Sequence, residues 1–104
     1  MSDSRLSQLQ EFYDQDPSDP FNLYALALET SKTNPANAIV QFETLMTQHP
    51  DYLPTYYHAA KLYVRLERNE QAIDVYKKGI ALAQQTGNTK TARELKSALD
   101  ELEF

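Results

Sequence analysis

The chain has no cysteine, and only two of its 104 residues are glycine. Without cysteine there can be no disulfide staple, no thiolate zinc site and no thiol nucleophile. With so little glycine there is no loop to cradle phosphate, and no serine sits in a strained glycine elbow. Long apolar runs are missing as well. The opening MSDSRLSQLQEF lacks the apolar core of a signal peptide, and nothing downstream is apolar for long enough to cross a bilayer. No segment shows the strict alternation of a half-buried strand. These absences lead to the expectation of a soluble cytoplasmic protein, one all-α domain in length, with no membrane association and no cofactor.

Basic charge is scarce at one end. Residues 1–60 carry two basic and eight acidic side chains, residues 61–96 carry eight basic and four acidic, and the last eight residues add three acids. The net charge of −5 disfavours general nucleic-acid binding, which needs a basic surface to meet phosphates. The basic stretch at 90–96 is opposed by Glu94 within it and by the acidic tail at 100–103.

What is abundant favours helices: alanine, leucine, glutamate, glutamine and lysine. Breakers divide the chain at 16–20, Asn34-Pro35, His49-Pro50, Pro54 and Thr86-Gly87-Asn88. The intervals predict six helices over about 4–14, 20–33, 35–48, 53–66, 70–86 and 90–102. Asp19-Pro20 and Asn34-Pro35 each set a capping side chain before a proline, whose missing N–H would go unpaired at that position anyway. Asn69 is expected to cap the fifth helix and Gly87 to end it. The connections are short, so neighbouring helices are expected to form antiparallel hairpins.

Shifting the sequence by 34 residues aligns Ala25 with Ala59, Leu28 with Leu62, Ala38 with Ala72, Ile39 with Ile73, Phe42 with Tyr76 and Met46 with Ile80. A helical hairpin repeating at this period resembles the tetratricopeptide repeat (TPR) family. Tyr56, Ala59-Ala60, Tyr63, Ala72 and Tyr76 stand at the spacing of that family's large, small and aromatic positions. Gln84 replaces the family's closing proline, so the fifth helix is expected to run on. The first unit reads Asn22, Ala25-Leu26, Glu29, Ala38, Phe42 and Pro50, with Asn22 and Glu29 departing from the pattern. Leu95, Ala98-Leu99 and Leu102 resemble the first half of a further unit, and Leu6, Leu9, Phe12 and Tyr13 form one apolar face of the first helix. The resemblance implies a short right-handed superhelix: an N-terminal capping helix in 1–18, repeats in 19–52 and 53–86, and a C-terminal capping helix in 87–104.

No catalytic constellation emerges, and no enzyme activity is expected. His49 beside Pro50 suits helix-end carbonyls or solvent, and His58 is a lone histidine where a metal would need several converging ligands. No metal site is therefore expected. The family resemblance implies a concave groove lined by the first helix of each unit. Carried onto this chain, its positions are Leu23, Ala27, Thr30 and Ser31, then Tyr57, His58, Lys61, Val64 and Arg65, with Lys96 from the last helix. Lys61 and Arg65 lie four apart on one helix face, a turn beyond Tyr57. Such a grouping suits a partner protein or peptide bearing acidic side chains or a C-terminal carboxylate, although lysine and arginine at helical spacing also make ordinary solvated faces. The lysine and asparagine clamp by which some family members hold chaperone tails is not matched, since Leu23, Ala27 and His58 stand at its positions. The expected oligomeric state is a monomer or weak homodimer, and the competing expectation is a self-associating structural module, a homo-oligomer whose capping helices stack end to end or swap through Leu6, Phe12, Leu95 and Phe104.

Overall fold

The computed structural model describes residues 2–103, with side chains from Ser4 onward. Six helices fill them: α1 (Ser2–Gln15), α2 (Pro20–Thr30), α3 (Pro35–Gln48), α4 (Pro54–Arg65), α5 (Asn69–Gln85) and α6 (Thr89–Leu102). They gather into two compact units, Met1–Tyr52 and Leu53–Phe104. In the first, α2 packs against both α1 and α3; in the second, α5 packs against both α4 and α6.

Helix starts follow the predicted chemistry at Asp19 and Asn34, and Asn88 caps α6 in the same way. Asp19 Oδ1 accepts from the Phe21 N–H at 3.0 Å, Asn34 Oδ1 from Asn37 at 3.1 Å, and Asn88 Oδ1 from Thr91 at 3.2 Å. Pro20, Pro35 and Pro54 occupy first-turn positions, where no N–H is needed.

Asn69 does not cap α5. The chain leaves α4 through a tight turn in which Glu67 takes φ 60° and the Arg68 N–H reaches the Tyr63 carbonyl at 2.8 Å. Three residues, Leu66, Glu67 and Arg68, separate the helices; the Arg68 carbonyl accepts from Ala72 at 3.1 Å, and Asn69 is already helical. The same kind of turn closes α5, with Gly87 at φ 76° and the Asn88 N–H on the Ala83 carbonyl at 2.8 Å. Helix α5 does run on past Gln84 to Gln85, and the Thr86 hydroxyl donates to the Leu82 carbonyl at 3.0 Å. Helix α2, by contrast, stops at Thr30, three residues short of expectation. Its last hydrogen bonds tighten to Lys32 N–H on Glu29 and Thr33 N–H on Thr30, because Pro35 forbids a helical residue before it.

The repeat positions form the core. Ala59, Ala60 and Ala72 have no exposed surface, and Phe42, Tyr56, Tyr63 and Tyr76 are buried. Small residues let helix backbones approach, and the aromatic rings fill what remains. Gly79 marks a close approach: a methyl group there would lie 2.7 Å from Tyr56 Cβ and 3.1 Å from Leu95 Cδ1.

That contact corrects one expectation. Leu95 is only 1% exposed, buried where α6 crosses α5, so it is not an uncovered end residue. On α1, Leu6, Leu9 and Tyr13 are half-buried and share one stripe, whereas Phe12 flanks it and is 53% exposed. Phe104 lies outside the described residues.

The first unit's two departures from the repeat pattern turn out to hold α1. Asn22 Nδ2 donates to the carbonyls of Asp16 at 3.1 Å and Phe12 at 3.3 Å, closing the end of α1. The half-buried Glu29 carboxylate sits between Lys32 at 2.8 Å and Arg5 of α1 at 3.6 Å.

Candidate partner-binding site

The groove positions expected in the first unit offer little surface. Leu23, Ala27 and Thr30 are 4%, 0% and 4% exposed, and the Thr30 hydroxyl is turned onto its own helix, donating to the Leu26 carbonyl at 2.8 Å. Ser31 is half-buried and donates to the Leu28 carbonyl at 2.7 Å.

In the second unit the structure brings Tyr57, His58 and Lys61 together on α4. Helical spacing sets Lys61 one turn beyond Tyr57, and its ammonium lies 5.3 Å from the ring centroid. The His58 ring meets Tyr57 edge-on, centroids 5.4 Å apart and planes at 89°. Burial pushes the His58 pKa below the ordinary 6.5, and the Lys61 charge adds to the same effect. A half-buried neutral imidazole can pack against a ring and still donate or accept one hydrogen bond. Val64 is half-buried and Arg65 exposed, a further turn along α4. Lys96 is not part of this grouping: it lines a recess of about 300 Å³ at the α5–α6 turn, with Gln84, Thr89 and Arg93.

The residues that complete a site around Tyr57 come from α6. Tyr57, Glu94, Ser97, Ala98 and Glu101 line an open cleft of about 460 Å³ within the second unit. Glu94, Ala98 and Glu101 lie four and three residues apart, which puts them on one face of α6. Leu95 and Leu99 turn the adjoining face into the core. In the sequence Glu94 and the acidic tail stand out only as charge opposed to nucleic acid; the apolar spacing of α6 was the signal that fixes which acids share a face. The buried Tyr76 of α5 has its pKa raised, first by burial and then by Tyr57 and Glu101.

Among the described residues no three histidine, aspartate or glutamate side chains converge as a metal site, and no helix is long and apolar enough to cross a membrane. The surface offers an aromatic ring edged by charge, which is suited to contact and not to bond making.

Comparison with known proteins bears on the fold. A family model described as tetratricopeptide repeat matches residues 30–99. The solution structure of a tetratricopeptide repeat domain protein from Salinibacter ruber is 47% identical over 85% of this chain and 90% of that one, with a TM-score of 0.81. A crystal structure of a tetratricopeptide repeat domain protein from the same organism gives 46% identity over 82% and 97%, with a TM-score of 0.77. The crystal structure of MamA shares the fold at 17% identity, covering 98% of this chain and 68% of that one at a TM-score of 0.69. None of the curated proteins compared with the chain matches it. Repeats of this kind are non-catalytic scaffolds for protein–protein interaction. From the matched residues, the helical hairpins and the identity to solved relatives, this chain belongs to the tetratricopeptide repeat family.

Proposed function

We propose that this module holds a partner peptide or helix on the surface that α4 and α6 build around Tyr57. The observation that carries this reading is the cleft of about 460 Å³ whose aromatic wall, Tyr57, is flanked on α4 by Lys61. Clefts of roughly 300–1,000 Å³ are typical of binding sites, and a tyrosine ring gives contact area at small entropic cost. Lys61 and Arg65 give that face of α4 positive charge, which suits an acidic side chain or terminal carboxylate on the partner. Leu23, Ala27 and Thr30, being buried, act in this reading as packing residues and not as contacts.

The test is affinity capture from the source organism's lysate with wild type and with a Tyr57→Ala, Lys61→Glu, Arg65→Glu variant whose helical circular dichroism is unchanged. The expected result is a partner held by wild type and lost by the variant. Equal capture by both proteins would move the binding surface elsewhere.

A further inference from the structure

We infer that the α4–α6 cleft receives a cationic side chain of the partner, arginine before lysine; this rests on the partner-binding reading above and names the chemistry of one subsite. The charge of the cleft points to it. Its described lining contains two carboxylates, Glu94 and Glu101, one hydroxyl, Ser97, one aromatic ring, Tyr57, and no basic residue. Among the described residues neither carboxylate is in an ion pair, although Glu103 nearby on the same chain end pairs with Lys77 at 3.9 Å. Both carboxylates are exposed, so their negative charge is fully available to an incoming group and costs nothing in burial before it arrives.

Lys61, whose ammonium lies against the ring, does not line the cleft. The ring therefore serves two purposes at once, holding Lys61 from α4 and forming the wall against which α6 sets its acids. A guanidinium fits this lining better than an ammonium. It is planar, stacks on an aromatic face, and presents five donors that carboxylates and a hydroxyl can share. The partner implied is of mixed charge: a basic side chain for α6, with acidic groups beyond it for Lys61 and Arg65.

The probe is N-acetyl-arginine amide, titrated into the ¹⁵N-labelled full chain and followed by amide chemical shifts, with N-acetyl-citrulline amide as its neutral isostere. The inference expects saturable shifts at Tyr57, Ser97 and Ala98 with the arginine probe, at least about fivefold weaker with citrulline. It expects a similar loss in a Glu94→Gln, Glu101→Gln variant, in which glutamine keeps the volume and the helix propensity. Equal binding of the two probes, shifts centred elsewhere, or an unaffected glutamine variant would each overturn it. In the capture experiment, a partner lost by the Tyr57 variant but kept by the glutamine variant would likewise remove the cation subsite while leaving the binding surface in place.

Discussion

Asn22 and Leu45 stand in the first unit where the second, 34 residues on, has Tyr56 and Gly79. The two hairpins share a period and a pattern, yet they distribute bulk in opposite ways. In the second unit the aromatic residue sits on α4 and the facing helix gives up its side chain, leaving Tyr56 Cβ 2.7 Å from where a methyl on Gly79 would be. In the first, α3 carries the bulk as the fully buried Leu45, and the small polar Asn22 is freed to bind the carbonyls that end α1. Likewise Glu29, an anchor for Arg5 and Lys32, stands where the second unit has the buried Tyr63. One repeat is consolidated by close apolar packing and the other partly by polar hooks. Charge follows the same division: Met1–Tyr52 holds two basic and eight acidic side chains, Leu53–Phe104 eight basic and seven acidic.

Changing either member of the crossed pair breaks the comparison most forcefully. Leu45→Ala leaves a cavity at a site with no exposed surface, and an expected loss of about 2–5 kcal/mol should show as a lower urea midpoint at constant m. Gly79→Ala adds one carbon and still destabilises, by about 1–3 kcal/mol, because the crowded atom is a Cβ fixed to a helix and cannot swing away. Helix propensity alone predicts the reverse, a gain of about 1 kcal/mol from replacing glycine. A Gly79→Ala variant as stable as wild type would show that α4, α5 and α6 separate at little cost.

The repeat was legible because it rests on period and on rigid residues. Proline and capping side chains mark where helices begin, and Ala25 with Ala59, Ala38 with Ala72 and Phe42 with Tyr76 recur where a tight crossing leaves few alternatives. The polar anchors were not legible in the same way. Asn22 and Glu29 look like lapses from a pattern until α1 is seen against them, since Asn22 meets the carbonyls of Phe12 and Asp16 and Glu29 meets Arg5, contacts that follow no period. Register assigns a residue to a helix face but does not say how much of that face a neighbour covers. That is why Leu23, Ala27 and Thr30 appear as surface by position and are buried in the fold. The α6 carboxylates illustrate the converse, since an exposed acid carries no packing signature and acquires meaning only from the ring opposite.

The hooks and turns give smaller effects. Asn22→Ala removes two exposed hydrogen bonds to α1 and should cost about 1 kcal/mol. Amide exchange is the informative readout, because protection should fall along α1 while α4 and α5 keep theirs. Exchange that rises equally in both units would mean that Asn22 supports more than the end of α1. Glu67→Gly should instead stabilise the chain, by about 0.5–1 kcal/mol. Glu67 holds the left-handed conformation that Gly87 adopts without strain, and the relief outweighs the added freedom of the unfolded chain. A melting temperature that falls on this substitution would show that the Glu67 side chain makes a contact worth more than the strain.

The smallest expected effect distinguishes the units by pH. His58 and Tyr24 occupy matched positions. Burial raises the Tyr24 pKa above its ordinary 10.0, with Tyr52 adding to the rise, so Tyr24 does not change charge near neutrality. His58 has its pKa lowered below 6.5 by burial and by Lys61, so the folded chain binds this proton less readily than the unfolded chain does. The stability that neutral His58 contributes is therefore complete above about pH 6.5 and is lost as the pH falls through the lowered folded pKa. Melting curves between pH 7.5 and pH 5 should show wild type losing more than a His58→Tyr variant, which gives the second unit the side chain of the first. Because carboxylates elsewhere titrate in both proteins, the difference between the curves isolates the imidazole. A difference that stays flat across this range would mean that the folded chain accommodates the imidazolium beside Lys61 as well as water does, and that His58 is more open to solvent than its half-buried place on α4 implies.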